Sequence, residues 1–254
     1  MAVEAAQVTG LSFEAAGCLV PGIVREPDGS AWAPNLWGME FEPLGQALRT
    51  RLSWPVFLEN DRAGHLLGEV WKGAAQGATD AIFVAAGTGI GAGILAGGRL
   101  VKGARGIAGS AGWMCVAEAW RDEYRDVGCY EWQAAGPALA RLASEARGQK
   151  LDSAAVVAAA EAGEAWPIDL IERIAQAHGR AIANLVSLLD PEVVVLGGGL
   201  MSNAALFLEG IRREMLRWAQ PVAARAVRLT GSELGADAGL LGAARLALWP
   251  DEIK

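Results

Sequence analysis

Along the chain, runs of apolar or alternating residues, which mark strands, give way to a three-to-four-residue apolar period, which marks helices. Residues 8–20 (VTGLSFEAAGCLV) read as a strand closed by Pro21-Gly22, with a polar turn at Glu26-Pro27-Asp28-Gly29 behind it. Phe41, Leu44, Leu48 and Leu52 fall at helical spacing over residues 41–52. Residues 55–58 predict a short buried strand that delivers Glu59-Asn60-Asp61 at its end. Asn or Asp there can cap a helix, and residues 63–76 predict one that stops at Gly77.

Residues 81–98 (AIFVAAGTGIGAGILAGG) carry no charge, which invites a membrane-spanning reading. Their six glycines oppose it, since each weakens a helix interior by roughly 1 kcal/mol relative to alanine. A β-hairpin fits instead: residues 81–86 as one strand, Gly87-Thr88-Gly89 as the turn and residues 91–95 as the return. A second turn at Gly97-Gly98 leads into Arg99-Leu100-Val101. Residues 102–114 are too glycine-rich for regular structure and read as a loop over a site, and residues 120–127 as charged and exposed. Residues 131–147 predict a helix, and residues 168–189 form the longest amphipathic run, ending at Asp190-Pro191. A buried strand at 192–196 meets Gly197-Gly198-Gly199, after which Ser202 or Asn203 caps a helix reaching Trp218. Residues 226–229 predict the last strand and residues 237–249 the last helix. Strands alternating with helices argue an α/β protein that binds ligands at the carboxyl ends of its strands.

With 254 residues and 52% hydrophobic content, the chain has room for a large core in one domain or two. A net charge of −7 gives it no basic surface for nucleic acid. Cys18, Cys115 and Cys129 are scattered and odd in number, which predicts a reducing cytoplasm rather than a disulfide framework. The opening MAVEAAQVTG has neither a basic stretch nor an apolar signal core, and outside the hairpin there is no candidate for a membrane span.

Chemistry concentrates at the hairpin. Glycine admits positive φ and close backbone approach, and successive N–H groups make a concavity suited to phosphate, with the Thr88 hydroxyl as one more donor. Taken alone, the same segment reads first as a hairpin that merely turns, and only the features that accompany it favour the phosphate reading. Glu131 by itself is an ordinary acidic residue in a helix's first turn. His65 and His178 read as packing or solvent-facing and are not at metal-ligand spacing; Arg99, Lys102 and Arg105 read as a solvated basic loop beside the hairpin.

Four features stand in order: Asn60-Asp61 ending a strand, the glycine hairpin, Gly-Cys-Tyr-Glu at 128–131, and strand–GGG–helix at 192–203. Together they resemble the ROK family of sugar kinases and sugar-responsive repressors, within the actin/hexokinase superfamily, over residues 8–249. Ala-Pro-Asn-Leu at 33–36 and Asp-Ala-Gly-Leu-Leu-Gly-Ala-Ala at 237–244 match as well. The resemblance implies two ribonuclease-H-like α/β lobes closing over ATP and a sugar: residues 1–78 as a truncated N-terminal lobe and 79–254 as the C-terminal lobe. It puts Asp61 at the general base, which takes the proton of a sugar hydroxyl during phosphoryl transfer. Asn60, Glu131 and Asn35 fall at the sugar. Gly87, Thr88 and Gly89 would hold the nucleotide phosphates of Mg–ATP, and Gly197, Gly198 and Gly199 would admit the adenosine.

Departures from the family pattern are as specific. No Asp-x-Gly-Gly-Thr phosphate loop is present, and the chain starts where the family's fourth strand would be. Glu-Ile-Gly-His is replaced by Ser110-Ala111-Gly112-Trp113, exchanging a sugar-gripping carboxylate for Ser110 and a zinc-ligating imidazole for Trp113. Of the zinc motif only Cys129 remains, with Asp122 and Tyr124 at the other cysteine positions, so no zinc is expected. Two functions follow: an ATP-dependent kinase of a hexose or N-acetylhexosamine, or a non-catalytic sugar- or nucleotide-binding descendant. The family's repressors need a DNA-binding helix-turn-helix for which no residues are available. Sugar and nucleotide, not nucleic acid or membrane, are the expected partners, and the unpaired edge of the first strand predicts a homo-oligomer.

Overall fold

The computed structural model describes residues 13–25 and 28–250. Its first part contains β1 (Ala16–Val20), β2 (Ile23–Val24), β3 (Ala31–Trp32), α1 (Pro34–Trp37), α2 (Leu44–Arg51), β4 (Val56–Asn60) and α3 (Asp61–Lys72). β1 and β4 pair in parallel from Ala16↔Val56 to Val20↔Asn60, and β2 and β3 pair antiparallel. Then follow β5 (Ala81–Ala86), β6 (Ile90–Ala96), β7 (Arg99–Leu100), α4 (Tyr124–Val127), α5 (Cys129–Ala134), α6 (Gly136–Arg147), α7 (Ser153–Glu161) and α8 (Ile168–Leu189). The chain closes with β8 (Val193–Gly197), α9 (Ala205–Trp218), α10 (Pro221–Ala226), β9 (Arg228–Gly231) and α11 (Asp237–Leu248).

A five-stranded sheet in the order β7-β6-β5-β8-β9 organises the molecule. β5 and β6 form the antiparallel hairpin, while β5, β8 and β9 run parallel. The strand side chains alternate between two cores, as a period of two requires. Ile82, Val84, Val194 and Leu196 pack with α5, α6, α8 and α9; Ala81, Phe83, Val193 and Val195 pack with Leu66 and Leu67 of α3 and Leu246 of α11. Burial on both faces explains why these strands are continuous apolar runs.

Small residues bring α3 and α11 into backbone contact. A Cβ on Gly242 would lie 1.7 Å from the Gly64 carbonyl oxygen, and one on Gly68 would lie 2.2 Å from that of Ala238. β1 meets α11 the same way, through Gly17 and the Ala243 carbonyl. The last helix therefore packs directly on the first part of the chain.

Several expectations need correcting. The first strand begins at Ala16, with its predicted residues 8–12 outside the described residues. Helix α3 starts at Asp61, two residues before the expected 63, and the strand before it continues to Asn60. The expected single helix 131–147 is two, broken at Ala135 (ψ 170°) where Gly136-Pro137 starts a new one. Neither Ser202 nor Asn203 caps α9: both lie in a 3₁₀ turn, Gly199–Asn203, where Ser202 Oγ donates to the Gly199 carbonyl. The last strand sits two residues later than expected, because α10 occupies Pro221–Ala226. Tyr124, in the segment read as exposed, is buried.

Candidate functional site

Three strand ends build the site. β4 delivers Asn60 and Asp61, β5 the Gly87-Thr88-Gly89 turn, and β8 the glycines at 197–199. An open cavity of about 420 Å³ lies against the turn, lined by Gly87, Thr88, Gly136, Pro137, Asp152, Ser153 and Gly199 among others. The amino ends of α6 and α7 both reach it, so the positive ends of two helices border the space. The Gly136 N–H donates to the Gly87 carbonyl (2.8 Å), fixing the turn to α6.

Glycine serves different ends at different positions here. Gly87 and Gly89 are not among the residues with positive φ, contrary to the expectation for the turn; Gly97 and Gly98 are. What Gly89 supplies is room, since a Cβ there would lie 2.8 Å from Glu131 Oε2. Gly197 makes room for the Phe83 ring and Gly198 takes φ 88° beneath the Ala86 carbonyl, whereas a Cβ on Gly199 would meet nothing within 4 Å. Of the three, Gly199 alone lines the cavity. In the turn the Gly87 N–H is spent on the Gly89 carbonyl. Among the described residues the N–H groups of Thr88 and Gly89 have no hydrogen-bond acceptor, and Thr88 is exposed.

Asn60, not Asp61, caps α3: its Oδ1 accepts from the Ala63 N–H (2.9 Å), and its Nδ2 donates to Glu59 Oε1 (2.8 Å). That leaves the Asp61 carboxylate in the helix's first turn, 39% exposed, with Oδ1 accepting from the Arg62 N–H (2.9 Å). Buried Glu59 is joined by Lys102 Nζ (3.2 Å), which ties the loop after β7 to the end of β4. The same loop reaches β2, where Gly106 lies under the Val24 carbonyl. His65 stacks on Phe83 and contacts the Asp61 carbonyl through Nδ1 (2.6 Å).

Glu131 projects from α5 into the hairpin, where its Oε2 accepts from the Ile90 N–H (2.7 Å). Burial pushes its carboxyl above the usual range, opposed by that hydrogen bond. Gly112, in the 3₁₀ turn after Ser110, packs on the same carboxylate. Ser110 turns its hydroxyl to the Ile107 carbonyl (2.8 Å). Trp113 is 58% exposed and borders an apolar cavity of about 230 Å³ with Cys115, Trp120, Tyr124 and Cys129. Cys129 accepts from the Val116 N–H, and Asp122 lies on the surface 4.0 Å from Arg125. No group of three or more His, Cys, Asp or Glu able to hold a metal occurs among the described residues.

Glu131 meets the hairpin at Gly89 and Ile90 and the 110–113 turn at Gly112, and Arg62, next to Asp61, packs on Gly91, while Asn35 is an exposed residue of α1. Sequence reasoning missed Gly136, Pro137, Asp152 and Ser153. The signals for them were Pro137 itself, a residue suited to a helix's first turn, and Asp152-Ser153, where Asp152 caps α7 through the Ala155 N–H. His178 packs as expected: it is buried, with Nδ1 against the Tyr130 hydroxyl and Nε2 3.1 Å from the Ala134 carbonyl.

The ROK family model matches residues 2–249. A glucokinase from Halalkalibacterium halodurans is 32% identical over 243 residues, covering 89% of this chain and 73% of its own. Among solved structures, the ROK hexokinase of Thermus thermophilus superposes with a TM-score of 0.83 at 33% identity, covering 98% of this chain and 83% of that one. A ROK family glucokinase from Streptomyces griseus, in complex with glucose and AMPPNP, gives 0.80 at 30% identity, covering 97% and 86%. The mixed α/β architecture is that of these kinases, of the actin/hexokinase type. The chain belongs to the ROK family, and is a sugar-kinase-like member of it.

Proposed function

We propose that the protein transfers the γ-phosphoryl group of ATP to a hydroxyl of a hexose, with Asp61 as the base. The observation that carries this reading is the position of the hairpin turn. Gly87 and Thr88 line the nucleotide-sized cavity, while Gly89 and Gly91 pack against Glu131 and the residue after Asp61. Phosphates held at the turn would therefore point from the cavity toward Asp61. The residues fit the nucleotide: bare backbone at Gly199, two helix amino ends, and the free donors of Thr88 and Gly89. Magnesium would arrive with the phosphates and neutralise part of their charge.

Asp61 needs little motion to act. Its carboxylate is half open to solvent and Asn60 has taken the capping duty, so one oxygen is left for a sugar hydroxyl. Asn60, Glu131 and Trp113 would surround the sugar, and Trp113 offers a flat apolar face for its ring. The S. griseus relative's glucose and AMPPNP support a hexose and an adenine nucleotide here. Incubation with glucose and ATP followed by mass spectrometry tests the reading: a hexose monophosphate is expected, and its absence across hexoses and N-acetylhexosamines contradicts it.

A non-catalytic role as a sugar- or nucleotide-binding protein is favoured by one observation, the Ser110 hydroxyl spent on Ile107 where a carboxylate would grip sugar. Nucleotide binding without product in that experiment would select it. The division into lobes at residue 78, a reducing cytoplasm for its three free cysteines and association into a homo-oligomer remain part of the proposal. Among the described residues β1 has β4 as its one strand partner, which supports association. Sedimentation as a monomer at micromolar concentration would remove it.

A further inference from the structure

Arg62 follows the proposed base directly, and its side chain is placed unusually for a helix's second residue. It lies flat on β6 at Gly91, where a Cβ would come within 2.2 Å of Arg62 Cδ, 2.9 Å of Nη1 and 3.2 Å of Nε. Only a glycine at that position admits it. The side chain is 18% exposed, and Nε is buried with no hydrogen-bond partner. Asp61 does not satisfy it: Nε stands 4.0 Å from Asp61 Oδ1, beyond hydrogen-bonding distance, and that oxygen already accepts from the Arg62 backbone. Among the described residues the guanidinium donates no hydrogen bond at all. A cation that is mostly buried, unspent, beside a carboxylate and two residues from the phosphate turn is arranged for an anion that arrives from outside.

We infer that Arg62 is a catalytic residue that grips the transferred phosphoryl group. This rests on the kinase reading above. In that transfer the sugar oxygen bonds to the γ-phosphorus as the bond to the ADP oxygen breaks. The hydroxyl proton passes to Asp61 and the electron pair leaves with ADP. Charge spreads over the equatorial oxygens of the moving group, one sugar oxygen away from Asp61, which is where Arg62 can reach them. A planar guanidinium suits such oxygens, since it donates two parallel charge-assisted hydrogen bonds and stays protonated throughout. Arg62 would supply, from the base's own helix, positive charge at the transferred group.

Calorimetry with AMPPNP and with AMP, on the wild type, Arg62→Ala and Arg62→Lys, tests this together with steady-state kinetics. Arg62→Ala should bind AMPPNP about 10-fold more weakly while AMP, which lacks the terminal phosphates, binds as before. Its kcat should fall by about 10²–10³-fold with the hexose KM within twofold, and free guanidinium should restore part of the rate. Arg62→Lys, which keeps the charge and the helix, should recover AMPPNP binding more than kcat. Equal AMPPNP affinity and equal kcat in the wild type and Arg62→Ala would overturn the inference and leave the kinase reading standing. A wild type that binds neither nucleotide would overturn both.

Discussion

The Ile90 N–H donates to Glu131 Oε2 at 2.7 Å, so a carboxylate from α5 is fastened to the base of the hairpin turn. Glu131 is proposed at the sugar; in the structure it braces the turn. Ile90 is buried, and without Glu131 its N–H has no acceptor. Glu131→Ala should therefore lower stability by about 1–3 kcal/mol, read from urea denaturation. Glu131→Gln keeps an acceptor oxygen and should recover most of that. Equal stability of Glu131→Ala and wild type would show that the brace contributes nothing.

Buried His178 sets a pH dependence. Burial lowers its pKa to about 4, from about 6.5 in an unfolded chain. Between those values the unfolded chain holds a proton that the folded one does not, so stability rises with pH across the window and is lost as pH falls. The loss from this residue should reach roughly 3 kcal/mol by pH 4. Comparing urea midpoints of wild type and His178→Gln from pH 7 to pH 4 checks it: the difference between them should shrink on acidification. A constant difference would contradict the assignment.

Trp113 is the residue to probe for substrate choice. Being largely exposed, it should change stability by less than about 0.5 kcal/mol when replaced by alanine. Hexose affinity should nevertheless fall several-fold, most for sugars carrying an apolar substituent that reaches the Trp113–Trp120 cavity. Calorimetry against glucose, N-acetylglucosamine and an aryl glucoside measures this. Unchanged affinity for all three would place the sugar elsewhere.

Elements with one strong periodicity were legible in the sequence. The hairpin strands Ala81–Ala86 and Ile90–Ala96 and the helix Ile168–Leu189 lie where apolar runs and glycines put them. α7 was not, because its alanine-rich stretch SAAVVAAAE shows no stripe, and the two-residue strands β2 and β3 are too short to have a period. In the site, Asp61 and Glu131 were identified by resemblance, while Arg62 carries no sequence signal of its own. Its meaning comes from the room at Gly91, a contact across two elements that spacing along the chain does not display.

The central claim is that Asp61 takes the proton of the attacking sugar hydroxyl. The most direct test is the initial rate of hexose-dependent ADP release by the wild type and Asp61→Asn, which retains the oxygen that accepts from the Arg62 N–H. The account predicts measurable turnover in the wild type, a fall of about 10²–10⁴-fold in Asp61→Asn, and AMPPNP affinity that is the same in both. Turnover in Asp61→Asn equal to that of the wild type would contradict it.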